Sequence, residues 1–503
     1  MEDTVELRRR NRMTIVAGPG GTQLSPSIQS HIQSLLTFIE RKYDYTLASE
    51  GGSKFTFIER KLYCEEPYKH RLAFPIGLKP RVVKSLRQSG FNVKDNTTRI
   101  APPSHRADAY YLDWDGLLSE FNVLDGQDKC ISNVVATDYG VISSTTGWGK
   151  SHVARMLCRL FCKAKIHFVT KSATLADEIY TDLSKSIPNV GFFGRGKKIQ
   201  GRVTVFIADS LHHGLGDADI VLADEVHELA APKYSELLAR YTNSRMYAFS
   251  ATPTGRMDGR DIIVESLFGP IIYTVSYQES QASGRVVPIT VEWLRVNQGP
   301  NVHDYKLPAL KERYGIWRNQ YRNNLIAQRL KHFKDDDQIM IMVKTIDHAV
   351  HLRKLLPDFT LCYAANGMDQ TRINKYIRSG LLPEDEPLMT PSRLKQLRED
   401  FSANKLKKVI ANYVWSTGVN FKQLNVLVRA DAAASEIRDG QIPGRVCRRV
   451  EGLKESAIMI DCWDEWSTTF LGRSRSRKNN YSKRGWSQIW SDLPLVGDTN
   501  GCT

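Results

Sequence analysis

Ser144-Thr145-Thr146-Gly147-Trp148-Gly149-Lys150-Ser151 follows a short apolar run and leads into a stretch of helical periodicity. A strand, a glycine-bearing turn and a helix in that order make a P-loop. Its glycines let backbone N–H groups face phosphate oxygens, and the helix N-terminus adds positive potential. Thr146, Gly147 and Gly149 would line the cradle, Lys150 would reach the β- and γ-phosphates, and the Ser151 hydroxyl would ligate Mg²⁺. Ser144 stands where the general pattern prefers Gly or Ala, and Trp148 is bulky for such a loop.

The runs on either side share the character of that first strand. Gly140–Ser144, Ile166–Thr170, Val203–Ala208, Ile220–Ala223 and Met246–Phe249 are brief, nearly continuous apolar segments separated by helical ones. A second series comprises Ile339–Val343, Thr360–Ala364, Val409–Asn412, Val426–Arg429 and Ala457–Ile460. Continuous rather than alternating apolar runs are expected of strands buried on both faces of a parallel sheet. The fold class is therefore α/β, with two tandem doubly wound parallel-sheet domains over residues 111–285 and 286–465. Gly284–Pro288 forms the joint, and a helical segment from Tyr314 to Phe333 follows it. Residues 1–110 read as a small α+β accessory domain, with a strand at Phe55–Leu62 and a helix at Arg81–Gln88 that Gly90 ends. Residues 466–503 read as a basic C-terminal segment, a solvated tail or a nucleic-acid contact, with a loose end running to Thr503.

Asp219-Ile220-Val221-Leu222-Ala223-Asp224-Glu225-Val226-His227 is an apolar strand that delivers two acids at its C-terminal end, the edge where chemistry gathers in open parallel sheets. Asp224 would hold Mg²⁺ and Glu225 would orient or deprotonate an attacking water. Ser250 and Thr252 close the next strand, where small hydroxyls could bond His227 and couple nucleotide state to domain motion. In the second domain, Gln441-Ile442-Pro443-Gly444-Arg445-Val446-Cys447-Arg448-Arg449 places Arg445 and Arg448 three apart on one helical face, suited to stabilising phosphate charge.

Composition narrows the partners. The 503 residues carry 70 Lys and Arg against 55 Asp and Glu, a net charge of +15, which favours a polyanion. Hydrophobic residues at 41% and charged ones at 25% exclude general disorder. No apolar run approaches membrane-spanning length, and the N-terminus lacks a signal-peptide core. Eight cysteines over this length form neither a disulfide framework nor a zinc pattern. Cys158 and Cys162 share a helix face and suit packing. A reduced, cytoplasmic protein, monomeric and without a membrane partner, is the expectation.

In this order the motifs resemble the superfamily 2 helicase and translocase set, from Gln127 to Arg449. The resemblance implies two RecA-like domains that bind ATP and Mg²⁺. Gln127 matches an upstream glutamine that reads adenine, and Ser416-Thr417-Gly418-Val419-Asn420 matches motif V, with Gly418 and Asn420 on the ATP side. Gln441, Arg445 and Arg448 match motif VI, and the aromatic-glycine setting of the DEAD-box version is missing. The chain is also similar to UvsW-type phage helicases, which remodel branched DNA. The run Arg71-Leu72-Ala73-Phe74-Pro75-Ile76-Gly77-Leu78 resembles that family's N-terminal domain. That resemblance implies a phage-encoded enzyme of recombination and replication, acting in the host cytoplasm on forked or junction DNA.

By the same resemblance, nucleic acid would lie against Thr170, Lys171, Ser172, Ser210, Lys344, Thr345, Ser416 and Thr417. These residue types suit phosphates and carry no sequence readout. Asp209 is awkward on such a path. Arg473, Arg475 and Arg477 with Trp486 suit phosphate contact plus base stacking, and read equally as a solvated basic tail. Phe193-Gly194-Arg195-Gly196-Lys197-Lys198 reads as an ordinary surface turn or as a mobile basic loop near the DNA path. An RNA helicase and the motor of a restriction system are the alternative functions; a DNA-binding protein with a decayed ATP site is the non-enzymatic one.

Overall fold

The computed structural model describes residues 4–43, 55–66, 71–214, 216, 218–256, 258–365, 367–415, 421, 423–435, 439, 444, 446, 449, 452 and 454–492. The chain forms two compact units. One comprises Met1–Ser144 and Gly149–Val275, the other Thr145–Trp148 and Ser276–Thr503.

The first unit is built on an eight-stranded sheet. Its order is Lys197–Ile199, Gly191–Gly194, Val203–Ile207, Ile166–Thr170, Ile220–Asp224, Arg245–Ser250, Tyr139–Ser144 and Ile271–Val275. Every pairing is parallel except that of Lys197–Ile199. The central strands are buried at every residue, which explains their unbroken apolar runs. Cys158 packs in the buried face of helix Lys150–Leu160, and desolvation pushes its thiol up to about 12.

The accessory region belongs to the same unit. Its five-stranded sheet runs Cys64–Glu66, Arg71–Pro75, Met13–Ala17, Thr4–Arg10, Asn92–Asp95, and helices Pro26–Leu35 and Lys79–Gln88 contribute Ile28, Ile32, Val82 and Leu86 to its core. It is fastened to the larger sheet by specific contacts. Arg12, buried, donates to the carbonyls of Ser244 and Leu267, and Arg81 pairs with Glu265. Gly77 lies so close that an added Cβ would come within 2.2 Å of the Glu265 carbonyl oxygen. Arg99 pairs with Asp138 at 3.0 Å and Arg106 with Asp219 at 3.2 Å. Asp138 and Asp219 precede strands Tyr139–Ser144 and Ile220–Asp224, so these pairs close the sheet edge opposite the P-loop.

A separate two-stranded sheet pairs Thr37–Tyr43 with Phe55–Lys61. The hexapeptide Thr-Phe-Ile-Glu-Arg-Lys occurs in both strands, at 37–42 and 56–61, and Thr37 faces Lys61 while Lys42 faces Thr56. The two copies are thus related by a local two-fold. Glu40 on one face is buried in an ion pair with Arg260 at 2.8 Å, whereas Ile39 and Phe57 on the other face are exposed.

The second unit carries a seven-stranded, all-parallel sheet: Thr360–Cys362, Lys408–Ala411, Ile339–Met342, Val426–Arg429, Ala457–Asp464, Ile289–Val296 and Ser487–Trp490. The basic stretch after residue 466 is not a solvated tail. Thr468–Lys483 is a helix packed on Ala457–Asp464, and Ser487–Trp490 is the sheet's edge strand. A fully buried ionic network holds that helix. Arg477 pairs with Asp461 at 2.8 Å, Arg322 with Asp464 at 2.9 Å, and Arg429 with Asp431 and Asp439. Tyr481 donates to Asp461, and Asn480 donates to Asp439.

Candidate active site and nucleic-acid interface

The glycines of the loop do the conformational work expected of them. Gly147 has φ +95° and Gly149 φ +107°, values that β-carbon sterics deny to other residues. Gly149 caps helix Lys150–Leu160, so the helix starts at Lys150 and its unpaired N–H groups face the loop. Space is a second reason for Gly149: a Cβ there would meet Nε2 of Gln127 at 2.8 Å. Gln127 is buried at the start of its own helix and its Oε1 accepts from the Leu124 amide, so its side chain is packed against the P-loop. The Lys150 ammonium donates to the Ser144 carbonyl at 3.3 Å, and Ser151 and Thr146 are each half-buried.

Strand Ile220–Asp224 delivers the acids to the same sheet edge. Asp224 is buried, and one carboxylate oxygen accepts from the Glu225 amide at 2.8 Å. Desolvation first, then the neighbouring Glu225, pushes its carboxyl up to about 7, although Lys150 pulls the other way. Glu225 itself sits at φ +47°, ψ +51°. A left-handed conformation at a non-glycine residue stores strain of about 1–3 kcal/mol, and such residues concentrate at functional sites. Its carboxylate stands 3.5 Å from Nδ1 of His227, which also shares a hydrogen bond of 3.1 Å with the Ser250 hydroxyl. Burial lowers the pKa of His227. Ser250 in turn accepts from the Thr252 amide at 3.1 Å, so the hydroxyl bridges the acid-bearing strand to the next one.

A divalent cation fits this chemistry. Asp224 is a buried carboxylate whose raised pKa marks negative charge without adequate compensation, and Ser151 supplies a hydroxyl at the helix start. Among the described residues no three His, Cys, Asp or Glu side chains gather as a metal cage. A hard cation held by few protein oxygens completes its shell from phosphate and water, as Mg²⁺ commonly does.

One joint carried no signal in the sequence pattern. Arg256 donates to the His227 carbonyl and pairs with Asp258, whose carbonyl accepts from the Arg41 amide at 3.1 Å. Arg260 donates to the Ala230 carbonyl at 2.7 Å and pairs with Glu40. The two-stranded arm is thereby tied to the short helix Val226–Leu229 that carries His227.

The expected nucleic-acid contacts divide. Lys171 is exposed and Ser210 half-buried, both at the C-terminal edge of the first sheet. Asp209 is turned aside: it pairs with Lys233 and accepts from Tyr234, which resolves the awkwardness of an acid there. Other expected contacts are buried or already engaged within the protein. Thr170 is fully buried, and Ser172 accepts from Leu175 as the N-cap of helix Ala173–Ser184. Thr345 likewise caps Ile346–Leu355, and Lys344 and Arg473 both pair with Glu312. Arg477 is fully buried in its ion pairs and Trp486 is buried in the core, so neither offers its side chain to DNA. Arg475 is exposed. Ser416, Thr417, Gly418, Asn420, Gln441, Arg445 and Arg448 lie outside the described residues.

Residues 120–255 match the family described as the res subunit of type III restriction enzymes. A protein of Sulfolobus islandicus filamentous virus named as a helicase is 31% identical over 186 residues, covering 33% of this chain and 33% of that protein. A protein of Acanthamoeba polyphaga mimivirus named as an ATP-dependent RNA helicase is 22% identical over 382 residues, covering 72% of this chain and 67% of the relative. Among solved structures, Saccharomyces cerevisiae Dbp5 bound to RNA and ADP BeF3 matches 76% of this chain and 95% of its own, with TM-score 0.52 and 13% identity. Phage T4 UvsW covers 98% of this chain and 100% of its own, with TM-score 0.41 and 16% identity. No helix among the described residues is long and apolar enough to cross a membrane.

Proposed function

From a chain related to superfamily 2 helicases and folded as tandem RecA-like domains, we propose an ATP-dependent helicase or translocase that remodels forked or junction DNA. The observation that carries the ATPase reading is one sheet edge. There a glycine-capped helix presents Lys150 and Ser151, and Ile220–Asp224, separated from the P-loop strand by Arg245–Ser250, presents Asp224 with Glu225 just after it. Lys150 would draw charge from the β- and γ-phosphates, and Ser151 and Asp224 would hold Mg²⁺, whose chemistry is to neutralise phosphate oxygens. Glu225 would orient the attacking water, with His227 and Ser250 reporting the state of the site to the next strand. Gln441, Arg445 and Arg448, with Gly418 and Asn420, are assigned to the second domain's share of the nucleotide. Ser416 and Thr417, like Lys171 and Ser210, are assigned to contacts with the nucleic-acid backbone.

DNA is favoured by the resemblance to UvsW-type helicases, while the net charge of +15 suits either nucleic acid. RNA is the second reading, supported by the name of the mimivirus relative and the RNA bound to Dbp5. The test is ATP turnover with no nucleic acid, single-stranded DNA, duplex DNA, a four-way junction and matched RNA. Strongest stimulation by the junction supports remodelling of branched DNA, and preferential stimulation by RNA overturns the DNA assignment alone. Lys150→Ala should abolish turnover; near-wild-type hydrolysis in that variant would overturn the motor itself.

A further inference from the structure

The basic stretch at 193–198 is an ordered hairpin. Strand Gly191–Gly194 pairs antiparallel with Lys197–Ile199, and the two turn residues, Arg195 at φ +48° and Gly196 at φ +80°, are both left-handed. That is the two-residue turn whose twist matches its flanking strands. Because Gly191–Gly194 runs parallel to Val203–Ile207, the turn projects from the C-terminal edge of the sheet. Thr170, the helical turn Ala208–His213 and Asp224 lie along that same edge.

The hairpin is held in place. The Phe193 ring stacks on Phe206 with centroids 4.9 Å apart and planes 11° apart, and lies 6.1 Å from the His213 ring. Lys198 faces Phe193 across the ladder, so the two share a face and Lys198 stands on the side of His213. Lys197 points to the opposite face. Arg195, Lys197 and Lys198 are all exposed. Arg195 pairs with Asp177 at 2.8 Å, while neither lysine has an acidic partner among the described residues. The acid on the adjoining turn Ala208–His213, Asp209, is already paired with Lys233.

We propose that this hairpin turn is a phosphate grip for a nucleic-acid backbone. Lys197 and Lys198 are its contacts, and Arg195 is a third that exchanges the exposed Asp177 for phosphate. An exposed ion pair is weak enough for that exchange. The ligand chemistry is the phosphodiester backbone, common to DNA and RNA. The inference deepens the helicase reading and rests on it.

The experiment compares the full chain with the double variant Lys197→Ala, Lys198→Ala. Affinity for single-stranded DNA and RNA oligonucleotides is measured across a KCl series, with ATP turnover followed alongside. Each phosphate contact on a single strand contributes about 0.7 to the slope of log K against log salt, so the double variant should flatten the slope by about 1.4 on both polymers. The nucleic-acid concentration for half-maximal stimulation should rise, with nucleic-acid-free turnover and KM for ATP unchanged. Lys197→Arg with Lys198→Arg should retain the wild-type slope. An unchanged slope and affinity in the alanine variant, while the wild type responds to nucleic acid, overturns the grip and leaves the helicase reading standing. A wild-type chain that no nucleic acid binds or stimulates overturns both.

Discussion

Replacing Asp224 by Asn should stabilise the nucleotide-free protein while destroying its hydrolysis. Desolvation and Glu225 raise the Asp224 carboxyl from an ordinary 3.8 to about 7. An acid whose pKa is raised on folding binds its proton more tightly in the native state than in the unfolded one. Native stability is therefore greater below pH 3.8 and is lost as pH rises through the window from 3.8 to about 7. Each tenfold change in proton affinity is about 1.4 kcal/mol, so at pH 8 the buried charge costs about 4 kcal/mol at most. Asparagine keeps the shape and the oxygen that accepts from the Glu225 amide, and removes the charge. Thermal unfolding of wild type and variant, without Mg²⁺ or nucleotide, gives the assay. At 2–4 °C per kcal/mol for a body of this size, the Asp224→Asn midpoint should stand several degrees above wild type at pH 8 and meet it at pH 4. Saturating Mg²⁺ and nucleotide should shrink the difference by stabilising the wild type selectively. A gap of the same size at both pH values would show that the charge of Asp224 is not what burial strains.

Two structural substitutions test the rest of the architecture. Arg477→Met leaves Asp461 buried with the Tyr481 hydroxyl but without its ion-pair partner and should destabilise the second unit by about 3–5 kcal/mol, whereas Arg475→Ala on the exposed face of the same helix should change stability little; denaturant titration separates them. Equal effects would return the segment to the reading of a solvated tail. Gly77→Ala forces a methyl group into the Glu265 carbonyl and should cost about 1–3 kcal/mol. Limited proteolysis should then release the accessory region before the larger sheet opens, and an unchanged cleavage pattern would mean that the contact is dispensable.

The central strands were legible because burial on both faces leaves no room for polar residues, as Ile166–Thr170 and Ile220–Asp224 show. Edge strands escaped for the converse reason. Ile271–Val275 is half-exposed and Lys197–Ile199 fully exposed, so neither carries the continuous apolar signature. The P-loop and the acid pair were readable because each is a local backbone device. Which polar side chains stand free at the surface was not, because a side chain's availability depends on partners distant in sequence. Arg477 looks like any surface cation until Asp461 is brought beneath it, and Lys344 is committed to Glu312. Ser172 and Thr345 did carry a usable signal: each immediately precedes a helical run, where capping claims a hydroxyl first.

The repeated hexapeptide of the two-stranded arm has a consequence for assembly. Its ladder joins Thr37–Lys42 to an identical sequence at 56–61, so the cross-strand neighbours of either strand would be unchanged if its mate came from a different molecule. Side-chain chemistry alone gives this ladder no preference between closing within a chain and closing between chains. Covalent connection supplies the preference through effective concentration, and the Glu40–Arg260 pair adds an anchor that only one of the two copies makes. The arm is thus a place where sequence symmetry and structural asymmetry part company, and where strand exchange between copies is resisted by tethering rather than by mismatch.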